Sequence, residues 1–163
     1  MLAQSELKYR LHYDPQTGVF TWVNPSPKKS KGGAIAGTKH DRGYLMIGIN
    51  GERHLSHRLA WLYMTGEWPT QQIDHRNGVR DDNRWENLRA ATQAINSQNL
   101  QTAQRNSTTG FLGVFPWGSS GKRYLARICV DRKYYKLGVF DDPEEAHAAY
   151  LSAKRKLHEG CVI

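Results

Sequence analysis

Cysteine is scarce in this chain: its 163 residues include only Cys129 and Cys161, and they form no Cys-x-x-Cys pair. A structural zinc site of the usual spacing therefore lacks ligands, and a disulfide framework lacks material. Nothing in the thiol content calls for an oxidising compartment, so a reducing cytoplasm is the expected setting. No apolar run is long enough to span a bilayer, and no membrane association is expected. The opening "MLAQSELKYR" lacks the apolar stretch of a secretory leader. Acidic side chains are the minority, 15 against 23 Lys plus Arg, for a net charge of +8 and a pI near 9.6. An excess of this size favours a polyanionic partner, nucleic acid before a membrane surface. It is shared along the chain: residues 1–106 hold 14 basic and 9 acidic side chains, and residues 107–163 hold 9 and 6.

Aromatic residues are plentiful, with five Trp, eight Tyr and four Phe. They give small domains the bulk a compact core needs. "SELKYRLHYDPQTGVFTW" reads as a short helix, an Asp-Pro/Gly turn and a strand. Farther on, "YLMIGI" and "ERHLS" flank Asn50-Gly51, the dipeptide of a tight hairpin turn. Ser56 is placed to cap a helix from about His57 to Thr65, with Leu59, Leu62 and Tyr63 on one face and Gly66 and Pro69 ending it. The polar "QTAQRNSTTG" looks like a linker. Beyond it, "GFLGVFPW", "KRYLARICV" and "KYYKLGVF" are three strand-like runs. In the middle run Tyr124, Ala126, Ile128 and Val130 alternate with Arg123, Leu125, Arg127 and Cys129, the mark of a half-buried strand. The same alternation assigns Tyr124 and Tyr135 to the core. The last segment reads as a helix, with Asp142 as cap, Pro143 at its first position and a packing stripe of Ala146, Ala149, Tyr150, Ala153 and Leu157. The expected fold class is α+β in two modules, residues 1–101 and 109–163, joined by a linker at 102–108.

The chemistry concentrates in "IDHRNGVRDDNRWENLRAATQAINSQN", residues 73–99. Phosphodiester hydrolysis needs a base for the attacking water and a cation against the charge that grows on the phosphate. His75 suits the first role, since an ordinary imidazole titrates near pH ~6.5. This reading needs its ring open to substrate rather than turned into the interior. The adjacent carboxylate, Asp74, is a hard oxygen donor suited to Mg²⁺, and an amide oxygen from a second element would complete the protein's share. Thr92 is placed to cap a helix over about 93–101 that carries Asn96 and Asn99 on one face. Asn83 reads as turn chemistry, His57 as a packing residue at a helix start, and "KKSK" at 28–31 as a solvated loop able to grip a DNA backbone.

"IDHRNG", "DNRWENL" and "AINSQN", with the preceding "HRLAWLYMTGEWP", resemble the HNH (His-Me finger) nucleases, in particular the phage homing endonucleases, over residues 43 to 99. The resemblance implies a ββα-metal nuclease domain in which His75 is the general base and Asn87 orients that imidazole through the backbone. It also implies that Asp74 and Asn96 bind Mg²⁺, or another divalent cation such as Mn²⁺. Many relatives carry His where this chain has Asn96, and Asn99 is the alternative amide. The C-terminal runs and the trailing "SAKRKLHEG" resemble the Apetala/ethylene-response-factor DNA-binding domain over residues 107 to 160. That likeness implies a three-stranded antiparallel sheet backed by one helix, with Phe115, Trp117, Arg123, Arg127, Tyr134 and Lys136 facing the major groove. Arg127 stands where plant members commonly have an acid and Lys136 where they have Trp, so no base preference carries over. Arg58 is a further candidate for a DNA phosphate.

The expectation is thus a phage-encoded, monomeric, metal-dependent endonuclease in the host cytoplasm. It acts on double-stranded DNA, leaves 5′-phosphate and 3′-hydroxyl ends, and uses no small-molecule cofactor. Two rivals stand beside it: a DNA-binding or regulatory protein whose nuclease fold is inactive, and an RNA nuclease.

Overall fold

The computed structural model describes residues 1–25, 31–104, 106–119 and 121–161. The lysines of the "KKSK" run at 28 and 29 lie outside the described residues. Two compact units are present, Met1–Thr92 and Gln93–Ile163.

The first unit begins with helix α1 (Gln4–Arg10) and three antiparallel strands, β1 (Leu11–Asp14), β2 (Val19–Trp22) and β3 (Ile35–Ala36), in the order β1-β2-β3. Alternation makes β1 amphipathic: Leu11 and Tyr13 are buried while His12 is exposed. A second sheet has the order β4 (Thr38–Lys39), β5 (Leu45–Ile49), β6 (Glu52–Leu55). Asn50 and Gly51, with φ of 53° and 84°, form the expected turn between β5 and β6. Two successive left-handed residues match the twist of the paired strands. Helix α2 (Ser56–Thr65) follows and stops at Gly66, whose φ is 88° and whose N–H donates to the Leu62 carbonyl at 3.0 Å. Ser56 does not cap it. The residue that precedes the helix in extended geometry is Leu55, which puts Ser56 one position too far in, and its buried hydroxyl finds no partner among the described residues. The unit closes with a two-stranded antiparallel ribbon, β7 (Gln72–His75) and β8 (Leu88–Ala91), with a 3₁₀ turn at Trp85–Asn87 before β8. Leu7, Leu11, Tyr13, Phe20, Ile47, Leu59, Leu62 and Ile73 form one core, with Trp61, Trp68 and Trp85 against it.

The second unit starts with helix α3 (Gln93–Gln98), shorter than the sequence predicts. The Asn99 N–H still reaches the carbonyls of Ile95 and Asn96, and Leu100 reaches back only to Ser97, so the last turn tightens and ends. Asn99 therefore lies just past the helix rather than on a face shared with Asn96. Strands β9 (Val114–Trp117), β10 (Arg123–Val130) and β11 (Lys133–Phe140) form an antiparallel sheet in the order β11-β10-β9. Helix α4 (Pro143–Leu157) has Asp142 as its N-cap, accepting from the Glu144 N–H at 2.9 Å. Buried Ala146 meets Val114 and Ala126, with Tyr124, Leu137, Phe140 and Ala149 around them. At Gly113 a Cβ would fall 2.0 Å from the Tyr150 ring, so only glycine lets β9 begin there.

Two expected core positions are overturned. Tyr135 is 50% exposed, because β11 is an edge strand whose first half is exposed throughout. Leu157 is exposed as well, and the buried row of α4 runs Ala146, Tyr150, Lys154. Lys154 is only 1% exposed and its ammonium donates to the Leu100 carbonyl. Spacing of four residues puts it on the packed face despite its charge. Burial lowers its pKa.

Candidate active site and nucleic-acid face

The β7–β8 ribbon sets Asp74 opposite Arg89 and His75 opposite Leu88. Directly paired residues share a face of the ribbon, so the carboxylate and guanidinium meet. Asp74 Oδ2 accepts from Arg89 Nε at 3.0 Å and from Nη2 at 2.8 Å, and both side chains are largely covered. His75, the next residue along, is 4% exposed. Its ring is thus turned inward, contrary to the open imidazole the sequence reading requires. Tyr44 and His57 enclose it, with ring centroids 6.0 and 5.0 Å away and the two imidazoles edge to face at 87°. Burial pushes the His75 pKa below that of ordinary imidazole, opposed by a bond to Asn83 and then by the carboxylates of Asp74, Asp82 and Asp81. His57 is pushed to about 3, by burial first and then by the charges of His75 and Arg58.

Asn83 is the residue that sequence reasoning misplaced. It is 1% exposed, and its Oδ1 lies 3.1 Å from His75 Nε2, so it is no simple turn residue. Its Nδ2 is directed at the Asp81 carbonyl, 3.4 Å away, which leaves Oδ1 for the imidazole. An amide oxygen only accepts, so Nε2 carries the hydrogen and Nδ1 is the basic nitrogen of neutral His75. No periodicity marks this position; the one signal in the chain is its place between Asp82 and Arg84, two residues that pair with each other at 2.7 Å.

Asn87 works on the intervening loop. Its Oδ1 accepts from the Asn77 N–H at 3.0 Å and its Nδ2 donates to the Asp82 carbonyl at 2.7 Å. Its own carbonyl accepts from the Arg76 N–H at 2.8 Å. One side chain therefore ties both ends of residues 77–82 beside the strand that carries His75. Asp82 is anchored in turn by Arg84 and by Asn77 Nδ2, and the Arg84 bonds hold its carboxyl at about 2, fully ionised near neutrality.

Among the described residues no group of three or more His, Cys, Asp or Glu is placed to hold a metal ion. The expected donors are different in kind: the Asp74 carboxylate in the first unit and the half-buried Asn96 amide on α3 in the second. Both are hard oxygen donors, which fits Mg²⁺ or Mn²⁺ and does not fit a thiolate- or imidazole-seeking ion. Asn99, the alternative amide, is buried.

In the second unit all six expected contacts lie on the sheet face turned away from α4, and five of them pack against one another there. The Arg127 guanidinium lies 4.0 Å from the Phe115 ring centroid and 4.8 Å from that of Tyr134. Lys136, paired across the strands with Arg127, sits 4.6 Å over the Trp117 ring. Buried Arg127 Nε has no partner among the described residues. Arg123 instead turns to Asp141 at 3.1 Å, an exposed pair of little strength. Arg58, in the first unit, donates to the Pro69 carbonyl at 3.3 Å and lies 5.8 Å over Trp68.

No curated protein and no solved structure matches the chain. Residues 54–98 match a family model described as HNH endonuclease, a span that runs from β6 through α2 and the β7–β8 ribbon to the end of α3 and includes Asp74, His75, Asn83, Asn87 and Asn96.

Proposed function

We propose that the protein is a divalent-metal-dependent DNA endonuclease of the HNH homing type, with His75 as general base. The observation that carries this reading is the imidazole at the end of β7, its Nε2 3.1 Å from Asn83 Oδ1, inside the segment that matches the nuclease family. Neutral His75 accepts a proton from water at Nδ1 as the water oxygen bonds to phosphorus and the bond to the 3′-oxygen breaks, the leaving oxygen taking its proton from solvent water. The products are 5′-phosphate and 3′-hydroxyl ends. Asp74 and Asn96, or Asn99 in its place, are the residues proposed to hold the cation. When bound, such an ion neutralises charge on the phosphate and the leaving oxygen. Asn87 keeps the 77–82 loop closed so that β7 presents the ring. Because His75 is buried, the scissile phosphate reaches it only after a covering side chain moves.

The C-terminal sheet supplies duplex binding in this reading. Arg127 and Lys136, steadied on aromatic rings, offer fixed cations for guanine edges or phosphates.

One observation favours the binding-only alternative: the same burial of His75, together with the commitment of Asp74 Oδ2 to Arg89, describes a settled interior. Nicking of supercoiled plasmid separates the two. Wild-type protein with Mg²⁺ or Mn²⁺ is expected to relax the plasmid, and chelator or His75→Ala to prevent it. A wild-type protein that shifts duplex DNA but cuts it with neither ion supports the binding-only reading.

A further inference from the structure

The family-matched segment does not stand alone around His75. We infer that the N-terminal β1–β2 hairpin is a positioning element of the active site, with Tyr13 holding Asn83 and, through Asn83, the His75 imidazole. This rests on the reading of His75 as the base.

Asn87 ties residues 77–82, and Asn83 lies one residue past that tie. Three contacts from the hairpin supply what that tie does not. The Tyr13 hydroxyl donates to the Asn83 carbonyl at 2.6 Å in a buried bond. The Trp85 N–H donates to the Pro15 carbonyl at 2.9 Å. At Gly18, where φ is +73°, a Cβ would fall 2.4 Å from the Asn83 carbonyl carbon and 2.5 Å from the Arg84 nitrogen. Backbone therefore lies against backbone at the hairpin turn, and the loop has no room to swing toward it.

Tyr13 is itself immobilised. Its ring packs 4.7 Å from Phe20 and 5.7 Å from Tyr63, centroid to centroid. Burial raises its pKa, so the phenol stays protonated and remains a donor. The chain of contacts runs from a strand outside residues 54–98 to the ring nitrogen opposite the basic one. A shift of the Asn83 backbone moves its Oδ1 and releases the ring to its other tautomer.

Tyr13→Phe removes the hydroxyl and keeps the aromatic packing. Two readouts follow, ¹⁵N spectra of the His75 ring in free protein and single-turnover cleavage of bound duplex. The variant is expected to show a mixed His75 tautomer, duplex affinity unchanged, and a cleavage rate lower by roughly tenfold, the scale on which lost orientation acts. A ring spectrum identical to wild type overturns the tether whether or not the protein cuts DNA. Full activity of His75→Ala overturns the base reading instead, and leaves the spectral result to stand on its own. Hydrogen exchange of the wild-type Trp85 amide tests the same contact without a variant. Protection equal to that of β1 and β2 amides is expected, and exchange as fast as an open loop overturns the inference, including where Tyr13→Phe does not fold.

Discussion

Two imidazoles, His57 and His75, meet edge to face in the first unit, and neither site welcomes a proton. For His57 the folded value of about 3 lies below the ordinary 6.5, so the unfolded chain binds the extra proton between those limits. Stability is then fully present above pH ~6.5 and falls as the medium is acidified toward 3, by at most about 1.4 kcal/mol per pH unit. Urea unfolding from pH 7 to pH 4 should show a declining midpoint, and His57→Phe should flatten that decline. A midpoint that rises on acidification contradicts the assignment. Single residues were unevenly legible. Asp74 and His75 stand out because their chemical types and order suit phosphodiester hydrolysis, but that reading could not foresee that the imidazole would be covered. Asn83 escaped because its partner lies in a neighbouring structural position, and a polar residue in a turn-rich run looks the same whether its side chain faces water or a histidine. Ser56 misled because a one-residue shift of the helix start moves a hydroxyl from cap to interior.

Elements were read with more success where local geometry decides them. Asn50-Gly51 specifies its turn by backbone conformation, and Asp142-Pro143 specifies the start of α4 by capping and a fixed φ. Both needed only neighbouring residues. Tyr135 and Leu157 failed because alternation and helical periodicity tell which face a residue is on, not whether another element covers that face. In β11 the edge is uncovered at Tyr135, while α4 buries Lys154 in preference to the apolar Leu157. The loop between β7 and β8 is held by Asn87, whose side chain makes two bonds to loop backbone. Asn87→Ala leaves the Asn77 N–H and Asp82 carbonyl without these partners. The expected destabilisation is about 2 kcal/mol, read from urea denaturation, with faster amide exchange confined to 76–83. An unchanged midpoint and unchanged exchange contradict the role given to this side chain.

On the scale of the molecule, charge is the most legible property and the least specific. Both units carry a basic excess, and the net charge of +8 points to a polyanion without naming its sequence. The logarithm of duplex affinity should fall linearly with log salt, each neutralised phosphate contributing about 0.9 to the slope. Lys136→Ala should lower that slope by about one, and Arg127→Ala should weaken binding further at a guanine-containing site than at others. A slope that Lys136→Ala leaves untouched removes Lys136 from the interface.

The proposed reaction turns on a neutral His75 taking the proton from the attacking water. Single-turnover cleavage of bound duplex, followed from pH 4.5 to pH 8.5 at fixed Mg²⁺ for wild type and His75→Ala, reads that proton transfer. The wild-type rate should climb with pH to a plateau, with its inflection below the ordinary imidazole value of ~6.5. The rate for His75→Ala should be lower by ~100-fold or more, without that inflection. Equal rates and equal profiles for the two proteins would contradict it.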